Sequence, residues 1–130
     1  MNDSPINDSP INDWLNFSSA QDGERRVYSI EFSEEHIGNP LIRALHGGVI
    51  AMFMEYAAEQ ELQSSFGEQV EVEAITINVD YLRPTTPNGL SAAVTLTKLG
   101  RRLAIIDITA WQNNEAKPVA KATCSFAIMR

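Results

Sequence analysis

Two adjacent glycines, Gly47 and Gly48, open an apolar run that stays uncharged until Glu55, nine residues after His46. If that run is a helix, its first backbone N–H groups lack partners and can donate to an anion or to charge developing on a carbonyl oxygen. Glycine there lets a ligand come close to the main chain, because no Cβ stands in the way. Glu55 falls about two turns further along and supplies a carboxylate that can act as nucleophile or base. A backbone oxyanion donor combined with a carboxylate suits acyl transfer. On a helical wheel Gly48, Ala51, Ala58, Glu59 and Leu62 share the side of Glu55, whereas Ile50, Phe53, Met54 and Ala57 lie opposite and form a core-facing stripe. The small neighbours leave room beside the carboxylate for a substrate or a partner subunit.

Arg83, Lys98, Arg101 and Arg102 lie at strand ends and in one turn. Arginine grips phosphate through two parallel hydrogen bonds, so this set could hold a phosphorylated ligand. Arg101 and Arg102 are adjacent in a hairpin, and simple strand register points them to opposite faces unless the turn twists them together. The chain has no GxSxG elbow and no P-loop, and His36, His46 and Cys124 lack zinc spacing, so no metal is expected. Cys124, beside Phe126 on an alternating strand, reads as a core residue.

Certain elements must position these groups. Residues 1–13 repeat Asn-Asp-Ser-Pro-Ile and form an expected mobile tail, leaving residues 14–130 as one domain. Trp14, Leu15 and Phe17 are apolar enough to dock a short helix before Asp22-Gly23. Residues 26–32 alternate as a first strand, and residues 33–45, broken by Gly38-Asn39-Pro40, are expected to be a loop. The helix is expected from Gly47 to Phe66, with Gly67 as its stop. Strands follow at 70–82, 91–99, 103–111 and 119–129, the first alternating through Ile75, Ile77, Val79 and Tyr81. One helix followed by meander strands predicts an α+β fold, an antiparallel sheet of about five strands with the long helix packed on one face.

At 130 residues, 44% hydrophobic and 21% charged, the composition is that of a globular domain. The net charge of −7 argues against a nucleic-acid partner. No apolar run is long enough for a membrane span, and one cysteine allows no internal disulfide, which fits the cytoplasm.

The His46-Gly47-Gly48 start with an acid nine positions on is accompanied by Ile77-Asn78-Val79-Asp80-Tyr81-Leu82-Arg83-Pro84, by the turn Lys98-Leu99-Gly100-Arg101-Arg102, and by the closing strand Val119 to Phe126. With these stretches, residues 26–129 resemble the hotdog-fold acyl-CoA thioesterases of the phenylacetic-acid-degradation type, within the 4-hydroxybenzoyl-CoA thioesterase superfamily. The resemblance implies hydrolysis of an acyl- or aryl-CoA to the free acid and coenzyme A, without metal or redox cofactor. It assigns Glu55 as nucleophile or general base, Gly47 as the backbone donor that polarises the thioester carbonyl, and His46 as a residue beside the site that fixes loop geometry or, as the second alternative, transfers protons. Gly48 and the basic set Arg83, Lys98, Arg101 and Arg102 would bind the substrate. Relatives carry an Asn or Gln six residues before the histidine. Pro40 stands there in this chain and Asn39 is one residue earlier. Relatives also use a hydroxyl to orient water, at a position occupied here by Ala74, with Thr76 two residues on and Glu59 one turn past Glu55 as substitutes. A homodimer or a dimer of dimers is implied, because hotdog sites form where two subunits meet. Two rival readings are a non-catalytic acyl-CoA-binding domain and a hotdog hydratase or dehydratase.

Overall fold

The structure, a computed structural model, describes residues 17–31, 37–39, 44–45 and 47–129. The expected tail, with Trp14 and Leu15, lies outside the described residues, as do His36, Pro40 and His46 and the side chain of Asn39.

Strands β1 (Phe17–Asp22) and β2 (Arg25–Ile30) form a hairpin, and the short β3 (Ile37–Asn39) and β4 (Ala44–Leu45) pair with each other. Helix α1 (Gly47–Ser64) follows, and then β5 (Glu71–Tyr81), β6 (Leu90–Leu99), β7 (Leu103–Trp111) and β8 (Ala120–Met129). The main sheet has six strands in the order β1-β2-β6-β7-β8-β5, all neighbours antiparallel, one more than expected.

The extra strand corrects the expected helix before Asp22. Phe17 opens β1, and Asp22 faces Arg25 across the two-residue turn Gly23-Glu24. Gly23 has a φ of 67°, which a hairpin turn of this length favours and an L side chain resists. The expected loop before the helix also contains a small ribbon, in which Asn39 pairs with Ala44 through the backbone.

Helix α1 is rich in Ala, Met, Glu, Gln and Leu, and its only β-branched residues are Val49 and Ile50 near the start. It ends two residues earlier than expected. The Ser65 and Phe66 N–H groups donate to the carbonyls of Leu62 and Gln63, both at 3.1 Å, which tightens the last turn. Gly67 is not left-handed, so it is not the stop.

The sheet curls around the helix. Even-numbered residues of β7 and β8, such as Ile106, Ile108, Cys124 and Phe126, are buried against Phe53, Ala57 and Leu62 of α1. From β1, the Phe17 ring meets Tyr56 edge-on at 4.7 Å, and from β2 the Tyr28 hydroxyl donates to Glu61 at 2.8 Å. This enclosure corrects the helical wheel: Ala58 and Leu62, drawn on the side of Glu55, are fully buried.

A bulge in β5 corrects its clean alternation. Ala74 pairs with Phe126 but Thr76 pairs with Ser125, so Ile75 is the extra residue and is 57% exposed. Phe126 faces the core and Ser125 the opposite side, so Ala74 and Thr76 lie on opposite faces rather than on the shared face expected. The Thr76 and Ser125 hydroxyls share a hydrogen bond of 2.6 Å on that outer face.

Candidate functional site

Gly48, Ala51, Met52, Glu55, Tyr56 and Glu59 line a hollow of about 380 Å³ on the open side of α1. The wheel anticipated Gly48, Ala51, Glu55 and Glu59; curvature of the sheet replaces Ala58 and Leu62 by Met52 and Tyr56. A Cβ added to Gly48 would meet no atom within 4 Å, and its φ is not left-handed. Neither packing among the described residues nor backbone conformation requires glycine at this position, and Gly48 lines the hollow without a side chain. Helix α1 has no acidic residue in its first turn, so its own side chains leave the positive end of the dipole uncompensated.

Glu59, one turn past Glu55, is half-buried in the same hollow. Burial, and secondarily the Glu55 charge, push its carboxyl above the usual carboxylate range. Beneath the helix, burial pushes the Cys124 thiol up to about 12, with smaller contributions from the charges of Glu55 and Asp107. Cys124 is fully enclosed, as expected of a core residue.

Gly47 and Glu55 are not close together in one chain. Eight residues of helix span about 12 Å, and the free N–H groups point away from Glu55, beyond the helix start. The glutamate leans back toward the N-terminus, which recovers at most about 4 Å. A carbonyl oxygen held by those N–H groups stays on the order of 10 Å from the carboxylate of the same chain. Direct attack needs about 3 Å, and attack through one water roughly twice that.

The basic residues are divided between the two ends of the sheet. Tyr81 pairs with Ala120 at one end, and its hydroxyl donates to the Gly47 carbonyl at 2.8 Å, so the helix starts there. Arg83 lies at this end, with its guanidinium donating to the Pro118 carbonyl at 2.7 Å. The turn carrying Arg101 and Arg102 lies at the other end, where Leu103 pairs with Ala127 and Glu71 with Met129. The ten steps along the strand from Glu71 to Tyr81 place the two ends roughly 30 Å apart. Both arginines line one hollow of about 520 Å³ with Ile128 and Met129. The turn brings them together: Gly100 N–H donates to Leu103 at 2.9 Å, and Ile128 N–H donates to the Arg102 carbonyl at 2.9 Å. Lys98 follows a second bulge, at Thr97, and faces Ile105.

Tyr81 is the site neighbour that alternation alone conceals, since the pattern marks it only as a strand residue facing inward. Among the described residues, no group of three or more His, Cys, Asp or Glu side chains could hold a metal ion. No helix among them is long and apolar enough to cross a membrane.

The model of the acyl-CoA thioesterase N-terminal domain matches residues 38–127. Among solved structures, a protein of the thioesterase superfamily is 30% identical, with a TM-score of 0.82 over 94% of this chain and 90% of its own. A Chromobacterium violaceum protein is 32% identical, with a TM-score of 0.74 over 95% of this chain and 85% of its own. A Bacillus halodurans protein solved with CoA is 19% identical and shares the fold, with a TM-score of 0.84 over 94% of this chain and 80% of its own. No curated protein matches the chain. With a helix-wrapping antiparallel sheet, a family match over residues 38–127 and a superfamily relative at 30% identity, the chain belongs to the acyl-CoA thioesterase family and has the hotdog fold.

Proposed function

We propose that this protein hydrolyses an acyl- or aryl-CoA thioester to the free acid and coenzyme A, at a site shared by two copies of the chain. The observation that carries this reading is the open hollow over α1, which exposes Gly48 and Glu55 on one helix face. In this reading the N–H groups at the helix start hold the thioester oxygen. Glu55 either attacks the carbonyl carbon, giving a mixed anhydride that water then hydrolyses, or takes a proton from a water that attacks; the C–S bond breaks, and the thiolate takes up the proton that the water gave up as coenzyme A leaves. No metal or redox cofactor takes part. The Bacillus halodurans neighbour solved with CoA supports a CoA ester as the ligand.

The gap between Gly47 and Glu55 within one chain supports a shared site. In an antiparallel pair of α1 helices with a two-fold axis between Ala51 and Met52, Gly48 of one copy stands opposite Glu55 of the other. Gly48 and Ala51 are small enough to let the helices approach. The free edge of β5, with Ile75, Tyr81 and Leu82 exposed, offers a strand for the second copy to pair with. Two such pairs could assemble further into a dimer of dimers. Thiol release over a panel of acyl-CoAs tests the activity. Glu55→Gln should keep the assembly and lose about a hundredfold or more in turnover. Near-normal turnover would remove Glu55 from the chemistry.

A further inference from the structure

Two consecutive glycines are a poor way to begin a helix, because each leaves the backbone freer to fray than any other residue. Here the helix start is held from outside. Tyr81, the last residue of β5, is 54% exposed, yet its hydroxyl donates to the Gly47 carbonyl at 2.8 Å. Its ring lies so close to Gly47 that a Cβ there would sit 3.4–3.6 Å from the phenol. The strand end that carries Tyr81 is anchored. The N–H groups of Leu82 and Arg83 both donate to the Val119 carbonyl, at 2.8 and 3.3 Å, and Arg83 also holds the Pro118 carbonyl. The phenol is thus a fixed arm from the sheet onto the first peptide of the helix.

The Gly47 carbonyl and the Gly48 N–H belong to one planar trans peptide, so they point in opposite directions and turn together. Holding the oxygen fixes the direction of the N–H. Donation to the oxygen also polarises the peptide, which makes its N–H a stronger donor. We propose that Tyr81 is a positioning residue for the oxyanion site: its hydroxyl holds the Gly47–Gly48 peptide so that the Gly48 N–H faces the thioester oxygen as a second donor beside the Gly47 N–H that the resemblance names. This inference rests on the hydrolase reading above and names a residue that serves it through the helix start.

The test is Tyr81→Phe, which keeps the ring and removes only the hydroxyl. Steady-state kinetics with the best acyl-CoA of the panel should show kcat down about tenfold with KM within about twofold, since the donor matters chiefly as charge develops. In parallel, ¹⁵N relaxation should show the Gly48 amide order parameter falling from the rigid range near about 0.85 toward about 0.6. A wild-type kcat, or an unchanged Gly48 amide, would overturn the inference. Glu55→Gln, measured alongside, keeps the two readings apart. If wild type hydrolyses no acyl-CoA, or Glu55→Gln stays active, the hydrolase reading falls, and the Gly48 amide alone then decides whether Tyr81 holds the peptide.

Discussion

Coexpression of two disabled chains, Glu55→Gln and Gly48→Val, should restore activity that neither has alone. A Cβ at position 48 meets nothing within 4 Å among the described residues, and the branches of valine would extend from it over the helix start where the thioester oxygen would sit. In the proposed shared site, the roughly 10 Å between that oxygen and Glu55 of the same chain is bridged by a carboxylate from a second copy. In a mixed pair one site then receives both damaged residues and the other receives neither. Random pairing makes half the dimers mixed, each with one intact site of two, so the mixture should recover about a quarter of wild-type turnover. Each variant alone should retain about a hundredth. Differently tagged chains, purified through both tags and assayed by thiol release, should reach about half of wild-type turnover. A mixture no better than its two components would refute the geometry, because both groups would then serve a site within one chain.

Gly89→Ala should destabilise the fold by about 1–3 kcal/mol in chemical denaturation, because its Cβ would lie 2.4 Å from the Ile30 carbonyl oxygen and the backbone must shift. Glu59 binds its proton more tightly folded than unfolded, where its value is the ordinary 4.5, so its ionisation costs stability as pH rises above that value. Glu59→Gln should therefore be more stable than wild type at neutral pH, and the difference should vanish in acid. A constant difference across pH would assign the effect to packing. If the Arg101 and Arg102 hollow holds coenzyme phosphate, alanine at either position should raise KM for acyl-CoA well beyond its effect on kcat, and should leave an acyl-pantetheine unaffected. Equal losses on both substrates would remove the hairpin from the binding site.

Local chemistry made much of this protein legible before any coordinates. The glycine pair, the uncharged run and the acid at Glu55 are features of consecutive residues, and helix geometry places them on one face without help from the rest of the chain. The β6–β7 hairpin and β8 follow from period-two alternation with short turns between, and their observed bounds differ from the sequence reading by at most one residue. The hairpin at Asp22-Gly23 was also present as a local signal, an Asp-Gly turn between two alternating stretches, but the apolar Trp14-Leu15-Phe17 cluster favoured a helix there.

Tertiary structure decided the rest. The bulge at Ile75 turns Thr76 to the outer face, because a strand's parity depends on how many residues its partner offers, and β8 offers one fewer. Curvature of the sheet buries Ala58 and Leu62 although the helical wheel sets them beside Glu55. Sheet order separates Arg101 and Arg102 from the helix start by the length of a strand and brings Tyr81 to Gly47, 34 residues away in sequence. Such contacts depend on which strand lies beside which and in what register, and no single segment encodes that. The sequence by itself named the groups that could perform the chemistry. The packing of the sheet around the helix determined which of the others one chain brings together, setting Tyr81 at the helix start and Arg101 and Arg102 a strand's length away.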